Sequence, residues 1–354
     1  MILGITDPLR FAIDVSAFFS IYLMLSISLN LEYGYTGISN FGKVLFFAGG
    51  AFTAGALATR TIMSLYSSEI GSFGPYCTAN VVYATEVSKL LAENPGLSIT
   101  LFITLLLLGG AIGGILGYLA SYPAIRLKES YLGITLLASG ELLRIFARNY
   151  EPLICGSLGV SVPDLFAWLP VGLKEIIQVG IMLFIAFMAW YFIEKLVRSP
   201  FGRLIRALRD NELAAEAFGK NVVKIRMQVL VIGSAIAGMA GVLYAFYTKS
   251  IHADDFMPLK TFIVWVMVIL GGAGNNIGAA IGALIYVLTE RLIMQYKYMI
   301  SAPFDVNYLS YIIFGIVLII ILLYRPQGIL PEKPSKTIDF EKVIKKLKQE
   351  RNPS

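Results

Sequence analysis

The sequence predicts an all-α polytopic membrane bundle, and three observations predict it. The 354 residues are 57% hydrophobic and only 15% charged, against about 25% charged in soluble domains. The apolar residues fall in repeated long runs, each near the ~20 residues a membrane helix needs. Regular ten-residue alternation, the mark of a transmembrane barrel, is absent. Thirty-three glycines supply the small residues on which membrane helices pack closely.

Taken in order, apolar spans read at 11–31, 42–65, 97–121, 131–147, 173–193, 227–248, 258–274, 277–295 and 307–324. That is about nine, with eight to ten as the range, several of them broken by glycine. Residues 1–10 carry Asp7, Pro8 and Arg10, and the following apolar run is too long for a signal peptide, so no cleavable signal is expected. The net charge of +6 is uneven. Lys195, Arg198, Arg203, Arg206, Arg209, Lys220, Lys224 and Arg226 crowd the 195–226 loop, and a second basic cluster starts at Arg325. The positive-inside rule puts both in the cytoplasm and needs no nucleic acid to explain them. Counting back, Arg126 and Lys128 fall inside, while the N-terminus, the acidic 66–96 loop and 148–172 fall outside. The chain then divides into a membrane domain, 1–324, and a cytoplasmic tail, 325–354. Asp339, Glu341, Lys345 and Lys346 could form the polar side of a short helix at 338–349 of that tail.

Within the 195–226 loop, residues 199–221 form a polar island between two spans. Asp210 is suited to cap a helix over 211–218, Glu212 favours its first turn, and Gly219 suits a left-handed end. Leu213, Ala214, Ala215, Ala217 and Phe218 give it an apolar surface. Two turns cannot cross a bilayer, so this helix is expected to dock on a partner outside the membrane.

Other features are weighed between packing and chemistry. Gly109, Gly113 and Gly117 recur at i, i+4, i+8 and read as a helix-packing face. The Gly271-Gly272-Ala273-Gly274-Asn275-Asn276 turn interrupts an apolar run, which marks either close packing or a substrate path. Tyr131, Thr135 and Ser139 share one helix face and join Gly271, Gly272, Gly274, Asn275 and Asn276 as candidate path-lining residues. Asp14, Arg60, Glu141, Arg144, Glu290 and Arg291 are the charges noted within spans. Glu141 and Arg144, at i, i+3, can form an intramembrane ion pair. Cys77 and Cys155 both fall in loops on the oxidising side, and the sequence leaves open whether they pair. The single histidine, His252, sits in a loop, so no metal site is expected. There is no GxxxxGK[ST] phosphate loop. The chain is expected to bind no cofactor and to be no enzyme; any ATP is hydrolysed elsewhere.

Three stretches then carry a family resemblance: RLKESYLGITLLASGELLRIFARN (126–149), SPFGRLIRALRDNELAAEAFGKNV (199–222) and VMVILGGAGNNIGAAIGALI (266–285), the last followed by YRPQGIL (324–330). In order and spacing the chain resembles the LivM-type membrane permeases of ABC importers for branched-chain amino acids. The looser ISNFGKVLFFAGGAFTAGAL (38–57) departs from the pattern at Asn40 and Lys43, where that family is Ser- and Gly-rich and uncharged. The resemblance implies an ATP-driven importer in the cell membrane. Its partners would be two cytoplasmic ATPases carrying ATP and Mg, a second homologous permease chain and an extracytoplasmic binding protein. It makes 199–221 the coupling loop, with Arg206, Arg209, Asp210, Glu212, Ala214, Ala215, Phe218 and Gly219 facing the ATPase. The rival reading is an ion-coupled secondary carrier of small amino acids, which would need an inverted repeat and buried carboxylates.

Overall fold

The computed structural model describes residues 8–67, 69–124, 129–170, 172–297 and 309–332. Arg126, Lys128 and the tail beyond 332, with its expected short helix, lie outside the described residues. Apolar runs become helices because a buried backbone must satisfy its own hydrogen bonds. Among the described residues six helices are long and apolar enough to cross a membrane: α1 (Pro8–Leu29, prolonged by a π-helical turn, Asn30–Gly34), α2 (Lys43–Leu65), α4 (Pro95–Ala124), α7 (Leu173–Arg198), α10 (Val222–Thr248) and α12 (Asn276–Tyr296). The expectation of about nine is not confirmed by this count. Of the other three runs, 258–274 yields α11 (Leu259–Gly271), whose 13 residues reach only about 20 Å. The run 307–324 yields α13 (Leu309–Tyr324), 16 residues long. The run 131–147 lies in α5 (Glu129–Asn149), long enough to span but carrying Glu141, Arg144 and Arg148.

The core is a trio of α2, α4 and α10. A Cβ at Gly50 would lie 1.9 Å from the carbonyl oxygen of Gly238, and one at Gly113 would lie 2.4 Å from that of Ser234. Only glycine lets these backbones meet, so the predicted face at Gly109, Gly113 and Gly117 is a packing seam. Asp14 on α1 accepts from Tyr247 of α10 at 2.9 Å and pairs with Arg291 of α12 at 3.2 Å, a charge cluster that staples three helices.

One end of the bundle carries a small lobe. It comprises α3 (Asn80–Glu93), the single turn α6 (Glu151–Ile154) and an antiparallel pair, β1 (Val160–Ser161) with β2 (Ser250–Ile251). Cys77 and Cys155 are joined there by a disulfide, their Cα atoms 5.2 Å apart. Arg60, at the end of α2, donates to the Pro152 carbonyl and lies 4.6 Å over the Tyr76 ring, fixing the lobe to the bundle. Asp164 pairs with Lys174 and, at 2.8 Å, with Lys249. Burial pushes its carboxyl up, but these two ammonium groups outweigh burial and hold it below the usual carboxylate range. The disulfide closes a long loop, so Cys77→Ser is expected to cost about 2–4 kcal/mol. Thermal melting of the detergent-solubilised chain, with and without reductant, measures that loss.

Candidate functional site

At the opposite end from the disulfide lobe, α7 leads through Ser199 into α8 (Pro200–Asp210) and α9 (Glu212–Ala217). Asn211, rather than the expected Asp210, caps α9: its Oδ1 accepts from the Ala214 N–H at 3.0 Å, while Asp210 closes α8. The shift arises because Asn211 takes the extended backbone that a cap needs, whereas Asp210 is still helical. At the far end Gly219 has φ +72°, its N–H reaches the Glu216 carbonyl at 2.8 Å, and Lys220 reaches Ala215 at 3.2 Å. This paired closure is a Schellman motif, as Gly219 led one to expect. Glu212 pairs with Arg226 of α10 at 3.0 Å. Ala215 is turned inward and buried, while Leu213 (78%) and Phe218 (83%) stand out with Ala214 and Ala217. The free apolar face of α9 is thereby defined.

Arg206 and Arg209, grouped with the partner-facing residues from sequence, point the other way. Arg209 donates to the Gly34 carbonyl at 2.5 Å and pairs with Glu332 at 2.9 Å. Arg206 lies 3.5 Å from the same carboxylate and 5.1 Å over the Tyr35 ring. Being on the inner face of an amphipathic helix, both are taken up inside the chain.

The glycine turn lies just above them. Gly272 (φ +114°) and Gly274 (φ +78°) break α11 from α12, and Asn275 caps α12 through Oδ1 to the Ile277 N–H at 3.1 Å. Asn276 donates to Glu194 of α7 at 2.8 Å and accepts from Asn30 at 2.9 Å, while Asn30 accepts from the Gly274 N–H at 2.8 Å. A strap following α13 covers the turn: Ile329 and Leu330 donate to the carbonyls of Leu270 and Gly271, at 2.9 and 3.0 Å. A Cβ at Gly272 would lie 2.1 Å from the Leu330 carbonyl oxygen. Gly271, Gly272, Gly274, Asn275 and Asn276 are thus buried with their polar groups met from within. Tyr131, Thr135 and Ser139 lie elsewhere, on α5. Thr135 and Ser139 donate to carbonyls one turn back, both at 2.8 Å, and Tyr131 is largely exposed. The structure does not bring the two candidate sets together. Beside the α5 set, Glu141 and Arg144 do pair, Arg144 Nε standing 2.9 Å from Glu141, and Arg144 also reaches Asp254.

Sequence reasoning missed a second polar centre. Residues 35–42 leave the π-turn and fold back into the bundle, where Glu32 and Lys43 meet at 2.7 Å, both completely buried. Asn40 Nδ2 satisfies the other carboxylate oxygen at 2.8 Å, and its backbone carbonyl accepts from Trp265 at 3.0 Å. A Cβ at Gly233 would lie 2.1 Å from Glu32, so the pair sits against the middle of α10. Gly233 is eleven residues from one end of that helix, or roughly 16 Å. Non-helical backbone at such depth survives only where protein covers it. The available signal was the misfit of Asn40 and Lys43 with the family pattern.

Six apolar helices among the described residues, in one glycine-seamed bundle with a capped helix exposed at one end, define the class of a multi-pass membrane protein. Comparison with known proteins gives the class a function. The chain belongs to the family described as branched-chain amino acid transport system, permease component, whose model matches residues 11–322. It is 39% identical over 334 residues to a probable branched-chain amino acid transport permease protein, LivM, of Methanocaldococcus jannaschii, covering 93% of this chain and 96% of that one. To the high-affinity LivM permease protein of Escherichia coli it is 26% identical over 346 residues, 91% of this chain and 70% of the relative. The LivH permease protein of M. jannaschii is also similar, at 28% over 283 residues, 77% and 87% of the two chains. No solved structure matches.

Proposed function

We propose that this chain is the membrane-spanning subunit of an ATP-driven importer that carries branched-chain, hydrophobic amino acids into the cytoplasm. The amino acid would be delivered by an extracytoplasmic binding protein, and the chain would work beside a second, homologous permease chain. ATP and Mg would be held by two ATPase chains at the cytoplasmic face, where α9 and the chain's C-terminus would lie, with the disulfide lobe outside the cell membrane.

The observation that carries this reading is α9. Leu213 and Phe218 are exposed on a helix closed at both ends, built to keep its shape while its apolar face is free. Similarity to both LivM and LivH proteins supports a pair of unlike permease chains. Of the two candidate path linings, the α5 face of Tyr131, Thr135 and Ser139 is the better, because the glycine turn is filled by its own chain. The half-exposed Glu141–Arg144–Asp254 cluster beside it offers charges of both signs to a zwitterion.

The test is reconstitution in liposomes with the ATPases, the second permease chain and a binding protein, followed by uptake of labelled leucine. Uptake is expected only with ATP and the binding protein. Uptake by this chain alone on an ion gradient would sink the reading.

A further inference from the structure

We propose that Glu332 is a positioning residue that joins the α8–α9 loop to the glycine turn, so that movement of α9 is passed to α11, α12 and the π-turn of α1. The inference rests on the importer reading above. One carboxylate meets three elements here. Arg206 and Arg209, one turn apart on α8, converge on it at 3.5 and 2.9 Å. On its other side is the turn itself: a Cβ at Gly274 would lie 2.9 Å from the Glu332 carboxyl carbon, so no side chain can part them. Through Arg209 the carboxylate also reaches Gly34, whose carbonyl ends the π-turn and has no partner within that helix.

The strap that brings Glu332 to this place is itself pinned. Besides the bonds from Ile329 and Leu330, Asn275 Nδ2 donates to the Pro331 carbonyl at 3.0 Å. From the turn the bonding continues through Asn30 and Asn276 to Glu194, near the end of α7. Apolar contacts alone would let α8 slide along this surface. A charged hydrogen bond from Arg209 and the ion pair with Arg206 fix a direction, which is what transmission of a displacement requires. The carboxylate is part exposed, so its role is alignment more than stability.

The experiment uses the complete reconstituted complex and reads leucine imported per ATP hydrolysed. Lack of ATP-driven uptake with the wild-type chain would count against the importer reading, not against this joint. With wild-type uptake established, Glu332→Gln is expected to assemble and hydrolyse ATP while the ratio falls about fivefold or more. Arg206→Cys with Glu332→Cys is expected to show the same loss, and a short bifunctional thiol reagent is expected to restore import by bridging the pair. Both native cysteines of this chain are in the disulfide, so with partner chains freed of cysteine the reagent reaches only the introduced thiols. A ratio within about twofold of wild type in Glu332→Gln overturns the proposal. So does failure of that variant to assemble, which would make Glu332 merely structural, or a bridged pair that does not regain import.

Discussion

Phe218→Asp is expected to strip the ATPase from the complex and leave the permease folded. Phe218 is 83% exposed and ends α9 beyond the last buried position, so its loss disturbs little within the chain, on the order of 0.5 kcal/mol. At a protein interface the same ring would be covered, and burying a Phe side chain contributes roughly 1.5–3 kcal/mol. Asp forfeits that contribution and adds a carboxylate that must be desolvated, so binding is expected to weaken about a hundredfold. Leu213→Asp should act alike, being 78% exposed on the same helix. Ala215 is a poorer probe, since it is buried and any larger side chain would strain the loop before it met a partner. Co-purification of the ATPase with membrane-extracted permease is the measurement. Retention of the ATPase by both Asp variants would show that α9 is not the docking helix.

Lys43→Met carries the second large effect, and it falls on stability. The substitution shortens the side chain by one atom, removes its charge and leaves the Glu32 carboxylate buried with Asn40 alone for company. Removing one partner of a buried pair costs about 3–5 kcal/mol, because the remaining charge has nowhere to go. Glu32→Gln combined with Lys43→Met removes both charges and is expected to recover most of the loss. The readout is the melting temperature of the purified chain in detergent. A single variant melting within ~4 °C of wild type, where a change of 1 kcal/mol already shifts a chain of this size by some degrees, would show that the pair holds nothing in place.

The contrast between the two regions shows what was legible. α9 could be read almost to the residue, because caps and left-handed closures depend on neighbours within one turn; the cap itself lay one residue further on, at Asn211. The glycine seam was legible for the same reason, through a spacing of four. The Glu141–Arg144 pair is likewise local, at i, i+3. Glu32 and Lys43 were not legible as a pair. A reading by apolar runs ends one span before Glu32 and starts the next at Gly42, so their meeting depends on how residues 35–42 turn back. The number of spans was less legible. Hydropathy marks 258–274 and 131–147 as apolar runs, but α11 has only 13 residues and α5 carries Glu141, Arg144 and Arg148, so neither is among the six long apolar helices.

Residue order alone carried the all-α class, the place of the short capped helix and the family resemblance, while α3 and α8 came only with the structure. The first three rest on composition, on periodicity or on bonds spanning a few residues. The inward turn of Arg206 and Arg209 to Glu332, the strap over the glycine turn and the pairing of Glu32 with Lys43 against α10 emerge from packing alone. Each of these joins groups far apart in the chain, at separations where local propensity carries no information. The partner of a buried charge is fixed by which helices pack side by side.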